Sequence, residues 1–293
     1  MHTKGWIFCL VLLLTACQGG TLSLFDPTPT PFPELFTATV DLGEYQLPIS
    51  CKGSGEPTII LESGLGGGSW GEIDLLRFRT TTRACYYDRW KPLQAPDGVG
   101  GPRTTTDQVT DLHNLLQIAG VPGPYILVGH SLAGSILPLY ANLYPEEVVG
   151  LVCVDCWPIN WEFAIVEGLE APNTFDPLLV KEVLDVENGF LGDWRQNPEN
   201  LDIRASYDQV MKVTDLGDIP FVTLVALNTM YDLGDQPIRD WATELRKEKL
   251  QELCDLSSDC RYELVEGVDH WGILLNEAVD QAVREVYDEV KEK

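Results

Sequence analysis

The chain has 293 residues, and its 45 acidic side chains against 20 basic ones give a formal net charge of −25 at neutral pH. A surface of that charge repels phosphate backbones and anionic lipid head groups, which argues against nucleic-acid binding. The N-terminal segments described next leave roughly 255 residues, a length that suits one α/β domain with an insertion.

Residues 1–16 have the features of a secretory signal peptide. Lys4 precedes an apolar run from Trp6 to Leu14, which is too short to cross a bilayer because a spanning helix needs about 20 residues. The segment ends in Leu-Thr-Ala-Cys, which resembles the lipobox of bacterial lipoproteins. The resemblance implies cleavage before Cys17 and a lipid on that cysteine, so we expect an exported protein anchored to the bacterial cell membrane. The alternative is an ordinary signal peptide with a cysteine there by chance.

Residues 17–37 are predicted to form a linker. Proline alternates with other residues between Pro27 and Pro33, a pattern that prevents helix formation and favours an extended spacer. The predicted organisation is therefore a signal peptide over 1–16, a lipidated linker over 17–37, a first core segment over 38–156, a cap over 157–216 and a second core segment over 217–293.

The folded part alternates predicted strands with predicted helices. Strands are expected over 58–62, 83–87, 125–128, 148–155, 220–227 and 261–265, and helices over 106–119, 135–144 and 277–290. Buried apolar strands separated by helices indicate a doubly wound, mostly parallel sheet of the α/β class. Residues 157–216 interrupt this rhythm with prolines, acidic residues and aromatic residues, so we interpret them as an inserted helical cap.

The sequence Gly-His-Ser-Leu-Ala-Gly over 129–134 is the strongest functional signal. It lies between the predicted strand 125–128 and an apolar helix, and a serine at the crest of such a strand–helix turn is typical of a nucleophile elbow. Ala133 stands where the usual Gly-x-Ser-x-Gly pattern has its second glycine. We predict that Ser131 is a nucleophile; the alternative is an ordinary Gly-Ser loop beside a strand.

A serine nucleophile needs a base, and elimination among the four histidines favours His270. His2 belongs to the predicted signal peptide, and His113 lies within a predicted helix. His130 is next to Ser131, and we expect its side chain to point away across the turn. His270 follows the last predicted strand, and loops beyond the carboxyl ends of strands are where such sheets place chemistry.

The base needs a carboxylate that fixes its tautomer. Asp155 ends the strand that follows the elbow, and in this chain order it comes between the serine and the histidine. Asp232 or Asp235 would follow the later strand, over a longer and less regular connection. We favour Asp155, with Asp232 as the alternative acid.

An oxyanion needs preorganised N–H donors. We expect one from Leu132, the residue after the nucleophile, and the second from Leu65 in the glycine-rich loop after strand 58–62. The same loop contains Gly66-x-Gly68-x-x-Gly71, with Asp88 about 20 residues further on, which matches a dinucleotide fingerprint. We reject that interpretation because no clear helix pattern opens at Gly71 and because export would remove the protein from cytoplasmic nicotinamide.

An even number of cysteines remains outside the predicted signal and lipobox, which suggests disulfides in an exported chain. The six are Cys51, Cys85, Cys153, Cys156, Cys254 and Cys260. The sequence does not fix their pairing; we favour the first two as one pair and the last two as another. Residues 153 and 156 either pair locally or include a buried thiol. Because this lone Cys-x-x-Cys has no second pair or nearby histidine, we expect no metal, and we expect no cofactor.

Taken together, these motifs resemble the α/β-hydrolase family, in particular a bacterial serine esterase or lipase-like subgroup. The resemblance rests on residues 51–55, 61–66, 87–89, 121–125 and 151–155 around the elbow. It implies a serine hydrolase in which the cysteines at 51 and 85 are bridged and the acid follows the strand after the elbow. Two departures are the Arg-Trp-Lys sequence at 89–91 in place of the commoner Arg-Ala-Gly, and Ala133.

The sequence therefore predicts an enzyme that cleaves carboxylic esters of small or medium apolar substrates through an acyl-enzyme intermediate on Ser131. Amide or lactone hydrolysis, or perhydrolysis without a cofactor, is the alternative chemistry on the same residues. A non-catalytic surface binding protein is a further alternative. The expected partners are a small-molecule ester and, through Cys17, the membrane; no obligate protein partner is implied.

Overall fold

The computed structural model describes residues 31–89, 101–158, 160–228 and 234–293. The predicted signal peptide, Cys17, most of the linker and Asp232 lie outside these residues. No helix within the described ranges is both long enough and apolar enough to cross a membrane.

Eight strands form one sheet in the order β1-β2-β4-β3-β5-β6-β7-β8. β2 is antiparallel to both β1 and β4, and all neighbours from β4 to β8 are parallel. The strands are β1 (Leu35–Asp41), β2 (Gln46–Lys52), β3 (Thr58–Glu62), β4 (Ala84–Tyr87), β5 (Tyr125–His130), β6 (Val148–Val154), β7 (Phe221–Ala226) and β8 (Cys260–Val265). The predicted doubly wound, mostly parallel sheet is confirmed.

Helices cover both faces of this sheet. They are α1 (Glu72–Phe78), α2 (Thr105–Ala119), α3 (Ala133–Leu143), α4 (Trp161–Glu170), α5 (Pro177–Gly192), α6 (Ile203–Val210), α7 (Gln236–Cys254) and α8 (Glu277–Glu292). Side chains of β3 alternate between the two faces: Ile60 packs in one core with α2 and α3, whereas Ile59 and Leu61 pack in the other with α1 and α8. Both faces are therefore buried, which explains the continuous apolar runs in the sequence.

Two helices were not predicted, for different physical reasons. Helix α1 does begin at Glu72 with Gly71 as its N-cap, so the argument that no helix opens there was wrong. It is only 7 residues long and leaves Ile73 exposed, which obscures its apolar stripe. Helix α7 buries Arg246 in line with its apolar side chains, and a charged residue in that position interrupts the amphipathic pattern.

The antiparallel strands β1 and β2 were not predicted either. β1 is at the edge of the sheet, and most of its side chains are exposed or half-buried, so its sequence lacks the buried apolar run of the inner strands. β2 carries a proline, Pro48, which disfavours a strand prediction.

Three disulfides use all six cysteines of the described residues. Cys51 and Cys85 face each other across β2 and β4, and Cys254–Cys260 joins the end of α7 to the start of β8. These two pairs agree with the favoured pairing. Cys153 and Cys156 form the third disulfide at the end of β6, which is the local pairing that the sequence left open.

Helices α4, α5 and α6 all lie between β6 and β7, within the segment that we interpreted as a cap. This insertion has a small apolar core of its own, in which Trp161, Ile165 and Val183 pack with Ala242 of α7. The insertion therefore rests on α7 as well as on the helices next to the sheet.

The crossing of β5 and α3 is too close for a side chain at residue 129. A Cβ atom on Gly129 would lie 2.5 Å from the Cβ of Ala133 and 2.6 Å from a methyl group of Leu137. Ala133 is tolerated at the usual glycine position because the residue that faces it has no side chain. The elbow therefore depends on Gly129 more than on the second glycine of the pattern.

Gly129→Ala should lower the free energy of unfolding by about 2 kcal/mol, because both neighbouring groups belong to a packed strand–helix contact that cannot give way cheaply. Urea unfolding with the disulfides intact measures this loss. Gly192→Ala is the matched control, since an added Cβ there meets nothing within 4 Å. Equal stability of the two variants would contradict the close-packing argument.

Candidate active site

Ser131 follows β5 directly and has a φ of 55°, a left-handed conformation that is strained for a residue with a side chain. Its carbonyl accepts the N–H of Gly134 at 3.0 Å and that of Trp157 at 2.5 Å, which ties the turn to α3 and to the start of the insertion. The loop after β3 also approaches it, since a Cβ on Gly64 would lie 2.8 Å from the Cβ of Ser131. Contacts with α3, with the start of the insertion and with the loop after β3 therefore hold Ser131 at the crest of the turn.

Asp155 and His270 are brought together at the carboxyl ends of β6 and β8. The Asp155 Oδ2 and His270 Nδ1 atoms are 2.6 Å apart, and Asp155 also has a positive φ, of 46°. The other carboxylate oxygen, Oδ1, accepts the N–H of Ala226 at 2.7 Å and a guanidinium N–H of Arg246 at 2.7 Å. This carboxylate therefore has fixed donors on both oxygens.

The charge state of Asp155 follows from these contacts. Burial disfavours its ionised form, but the charge of Arg246 and the hydrogen bonds from His270 and Ala226 outweigh burial and lower its pKa to about 2. At neutral pH an ionised Asp155 accepts the Nδ1 proton of His270. The imidazole then leaves its other nitrogen, Nε2, as a proton acceptor.

The remaining carboxylates that we considered for this position differ. Asp235 is the N-cap of α7, where its Oδ1 accepts the N–H of Ile238 at 3.2 Å. Asp232 lies outside the described residues.

The rings of His130 and His270 are 4.3 Å apart between centroids, which brings His270 beside the residue that precedes Ser131. Leu65, Ser131 and Leu132 line one cavity of about 280 Å³, together with residues of the insertion. Leu65, Ser131 and Leu132 thus share one cavity, and the Asp155–His270 pair lies next to His130, the residue before Ser131.

The loop that carries Leu65 is held by the buried guanidinium of Arg89. Arg89 donates to the Ser63 carbonyl at 3.0 Å and to the Gly64 carbonyl at 2.9 Å. Its charge is balanced by an ion pair with Glu62 at the end of β3 and by two contacts of 3.1 Å with Glu199. The departure from the commoner pattern concerns residues 90 and 91, which lie outside the described residues; Arg89, which the two patterns share, fixes the loop.

Glu199 belongs to the insertion, and it binds the same loop from the other side. One of its oxygens accepts the Gly66 N–H at 2.8 Å, and the other accepts from the Gln108 amide at 2.7 Å. Burial opposes its charge, but Arg89 and these hydrogen bonds lower its pKa. The loop is therefore clamped between the sheet and the insertion.

His130, whose side chain we expected to point away from Ser131 across the turn, makes contacts with the loops on both sides of the elbow. Its side chain is buried, its Nε2 is 2.8 Å from the backbone carbonyl of His270, and its Nδ1 is 2.9 Å from the Ser69 hydroxyl. The Ser69 oxygen in turn accepts the Gly64 N–H at 3.0 Å. Because the His270 carbonyl can only accept, His130 carries its proton on Nε2 and accepts from Ser69. This chain connects the glycine loop, the elbow and the His270 loop.

Sequence reasoning missed several of these residues. Arg89 and Glu62 were visible within the motifs of the resemblance, but nothing local indicated their contacts. Glu199 lies 110 residues after its partner Arg89 in the chain, and Arg246 lies 91 residues after its partner Asp155. Only the fold brings the members of each pair together. A charged residue within an apolar stripe, as at Arg246, is the kind of signal that could have found one of them.

A model of the alpha/beta hydrolase family matches residues 59–288, well over half of the chain. The chain belongs to this family.

Solved structures share the fold at low sequence identity. Mouse alpha/beta hydrolase domain-containing protein 10 superposes with a TM-score of 0.60 at 17% identity, over 88% of this chain and 98% of that one. A thermophilic esterase from Thermogutta terrifontis superposes with a TM-score of 0.55 at 17% identity, over 88% and 99%. At these identities the likeness concerns the fold alone.

Sequence relatives match shorter regions. A Serratia proteamaculans protein provisionally named carbamate hydrolase RutD is 31% identical over 103 residues, which is 35% of this chain and 38% of that protein. The first relatives found are matched over less than half of their own length.

The buried His130 ring should make stability depend on pH. Burial, followed by the nearby His270, lowers the pKa of His130 to about 3. An unfolded histidine takes up a proton near pH 6.5, so below that pH the unfolded chain binds one proton more, and stability is lost as the pH falls. From this group alone the free energy of unfolding should drop by up to about 1.4 kcal/mol per pH unit between roughly pH 6 and 4.

Urea unfolding across this range measures the slope, which His130→Gln should reduce by that amount. In the folded protein, the NMR signal of the His130 ring should not titrate between pH 7 and 4. Titration near the ordinary histidine value, or an unchanged slope in the variant, would contradict the assignment.

Proposed function

We propose that this protein is a serine hydrolase that cleaves carboxylic esters through an acyl-enzyme intermediate on Ser131. The observation that carries the proposal is the hydrogen bond of 2.6 Å between Asp155 and His270, located beside a serine with a φ of 55°. A paired imidazole next to a strained, cavity-lining serine is the arrangement that nucleophilic catalysis requires.

In the proposed mechanism, His270 Nε2 removes the proton of the Ser131 hydroxyl as the serine oxygen attacks the ester carbonyl. Ionised Asp155 holds the Nδ1 proton of His270 and stabilises the imidazolium that forms. Backbone N–H groups of Leu65 and Leu132 stabilise the oxyanion of the tetrahedral intermediate.

The intermediate collapses when the alcohol departs with the proton from His270, which leaves an ester on Ser131. Water then loses a proton to His270 and attacks the acyl carbon. The second tetrahedral intermediate releases the carboxylic acid, and the proton returns to the serine oxygen. The carbonyl oxygen is stabilised by the same two amides in both halves of the reaction, so the clamped loop serves each step.

The cavity supports a small or medium substrate with apolar parts. Its volume of about 280 Å³ is at the small end of ligand pockets. Apolar side chains form most of its wall; they are Leu65, Leu132, Trp157, Val186, Phe190 and Ile203.

Cleavage of an amide-like bond, including a carbamate, is the second candidate reaction. It uses the same residues, and the name of the Serratia proteamaculans relative favours it over perhydrolysis. A panel of matched esters, amides, carbamates and lactones on the purified protein distinguishes these reactions by kcat/KM.

A fluorophosphonate should label the folded domain at Ser131, as peptide mapping would show, and Ser131→Ala should abolish both labelling and ester turnover. Asp155→Asn should lower kcat about 10³–10⁴-fold, because the imidazole then loses its fixed tautomer. Asp232→Asn is the matched control and should retain activity within about threefold, because the proposed mechanism gives the role of the acid to Asp155.

Loss of activity in Asp232→Asn with retention in Asp155→Asn would assign the acid to residue 232 instead. A folded wild type that neither takes the label nor turns over any ester would contradict the serine mechanism and favour a binding role.

We also propose that the protein is exported and tethered by a lipid on Cys17, as the lipobox resemblance implies. Expressed in bacteria with labelled palmitate, the full chain should incorporate label and partition into detergent, because an attached acyl chain binds the bilayer through its CH₂ groups. Cys17→Ser should lose both properties, whereas Cys9→Ser should keep them. Equal partitioning of the two variants would contradict lipidation at residue 17.

A further inference from the structure

Two carboxyl groups line the cavity beside Ser131, and the proposed reaction uses neither of them. Glu162 is on α4 and Glu187 is on α5, and both are at least nine-tenths buried. The other wall residues are mostly apolar, as described above. Burying an acid in such a wall costs free energy unless something compensates it.

Glu162 is only partly compensated by the protein. Its Oε1 accepts the indole N–H of Trp157 at 2.7 Å. Its Oε2 is buried and has no hydrogen-bond partner among the residues that the structure describes. The burial of this oxygen is therefore not compensated by a hydrogen bond within the described residues, and a group of a molecule bound in the cavity that Glu162 lines is the remaining partner.

The electrostatics of the cavity favour a positive ligand. Burial, with a contribution from Glu187, raises the pKa of Glu162 to about 8, and burial raises that of Glu187 to about 7. No lysine or arginine is found among the described residues that line this cavity. Both acids line the cavity without a cation among the described residues, and a cation bound near them would favour their ionised forms.

We propose that the cavity recognises a protonated alkylamine group of the substrate, whose N–H is bound by Glu162 and whose charge is shared with Glu187. The alkyl groups of such an ammonium would contact the apolar wall, and the ring of Trp157 would add a cation–π contact. A fully hydrated ammonium fits this wall less well, which favours a secondary or tertiary amine. The net charge of −25 also enriches cations near the protein.

This inference deepens the proposed function and rests on it, since it defines the ester that Ser131 would cleave. The amine is in either the alcohol half or the acyl half of that ester. Two pairs of substrates separate these possibilities. Dimethylaminoethyl butyrate is compared with its carbon isostere, isopentyl butyrate, and methyl dimethylaminobutyrate is compared with methyl isoheptanoate.

For one of the two pairs, the kcat/KM of the wild type should be about tenfold or more higher for the amine ester than for its isostere. A charge-assisted hydrogen bond in a partly dry site has an effect of this size. In Glu162→Gln this ratio should fall to about one, because the amide has no charge with which to favour the amine over its isostere. Glu187→Gln should lower the ratio in the same direction. Glu182→Gln removes an exposed acid from α5 and should leave the ratio unchanged.

Binding to Ser131→Ala gives a readout that does not need turnover. Calorimetry should show that dimethylaminoethyl butyrate or methyl dimethylaminobutyrate binds more tightly than its isostere, and that adding Glu162→Gln removes the difference. Efficient cleavage of the neutral esters with no amine preference in either assay would overturn the cation site and leave the esterase intact. Amine binding without labelling or turnover at Ser131 would instead support the cation site and contradict the serine mechanism.

Discussion

The arrangement of the site depends on one buried guanidinium. Arg89 holds two consecutive carbonyls of the loop after β3, and it pairs with one acid from the sheet and one from the insertion. Buried ion pairs do not by themselves stabilise a fold, since desolvation of the charges offsets much of their attraction. Their effect here is geometric, because the glycines of the loop carry no side chains and the Ser69 hydroxyl holds one of its amides, that of Gly64.

The insertion helps to hold the loop after β3 in place, and it also forms part of the cavity wall. Glu199 reaches the loop from a segment that is itself fixed to the core, where the Arg103 N–H donates to the Asn200 carbonyl at 2.8 Å and the Asp202 N–H donates to the Arg103 carbonyl at 2.7 Å. The side chain of Asn197 accepts the Leu201 N–H at 2.9 Å and closes the same turn. The proposed oxyanion donor at Leu65 is therefore positioned by residues that come after β6 in the chain.

How much of this could be read from the sequence depended on the range of the interactions. Ser131 and the parallel sheet follow from local patterns, and His270 follows from elimination among four histidines. Predicting Asp155 required only the knowledge that the strand before it lies beside the elbow strand β5. By contrast, the partners of Arg89 and Asp155 come from distant segments with no periodic signal. The buried contacts of His130 could not be predicted either, because they come from loops on either side of the elbow.

The buried acids of the site divide into two groups by what surrounds them. Asp155 and Glu199 each have an arginine and several N–H donors, so their negative charge is already satisfied and their pKa values are lowered. Glu162 and Glu187 lack such partners in the described chain, and their pKa values are raised. Arginine neutralises Asp155 and Glu199, whereas burial favours the protonated forms of the two acids in the cavity wall until a cation binds near them. A positively charged group on the molecule that enters the cavity would compensate the buried carboxylates most directly.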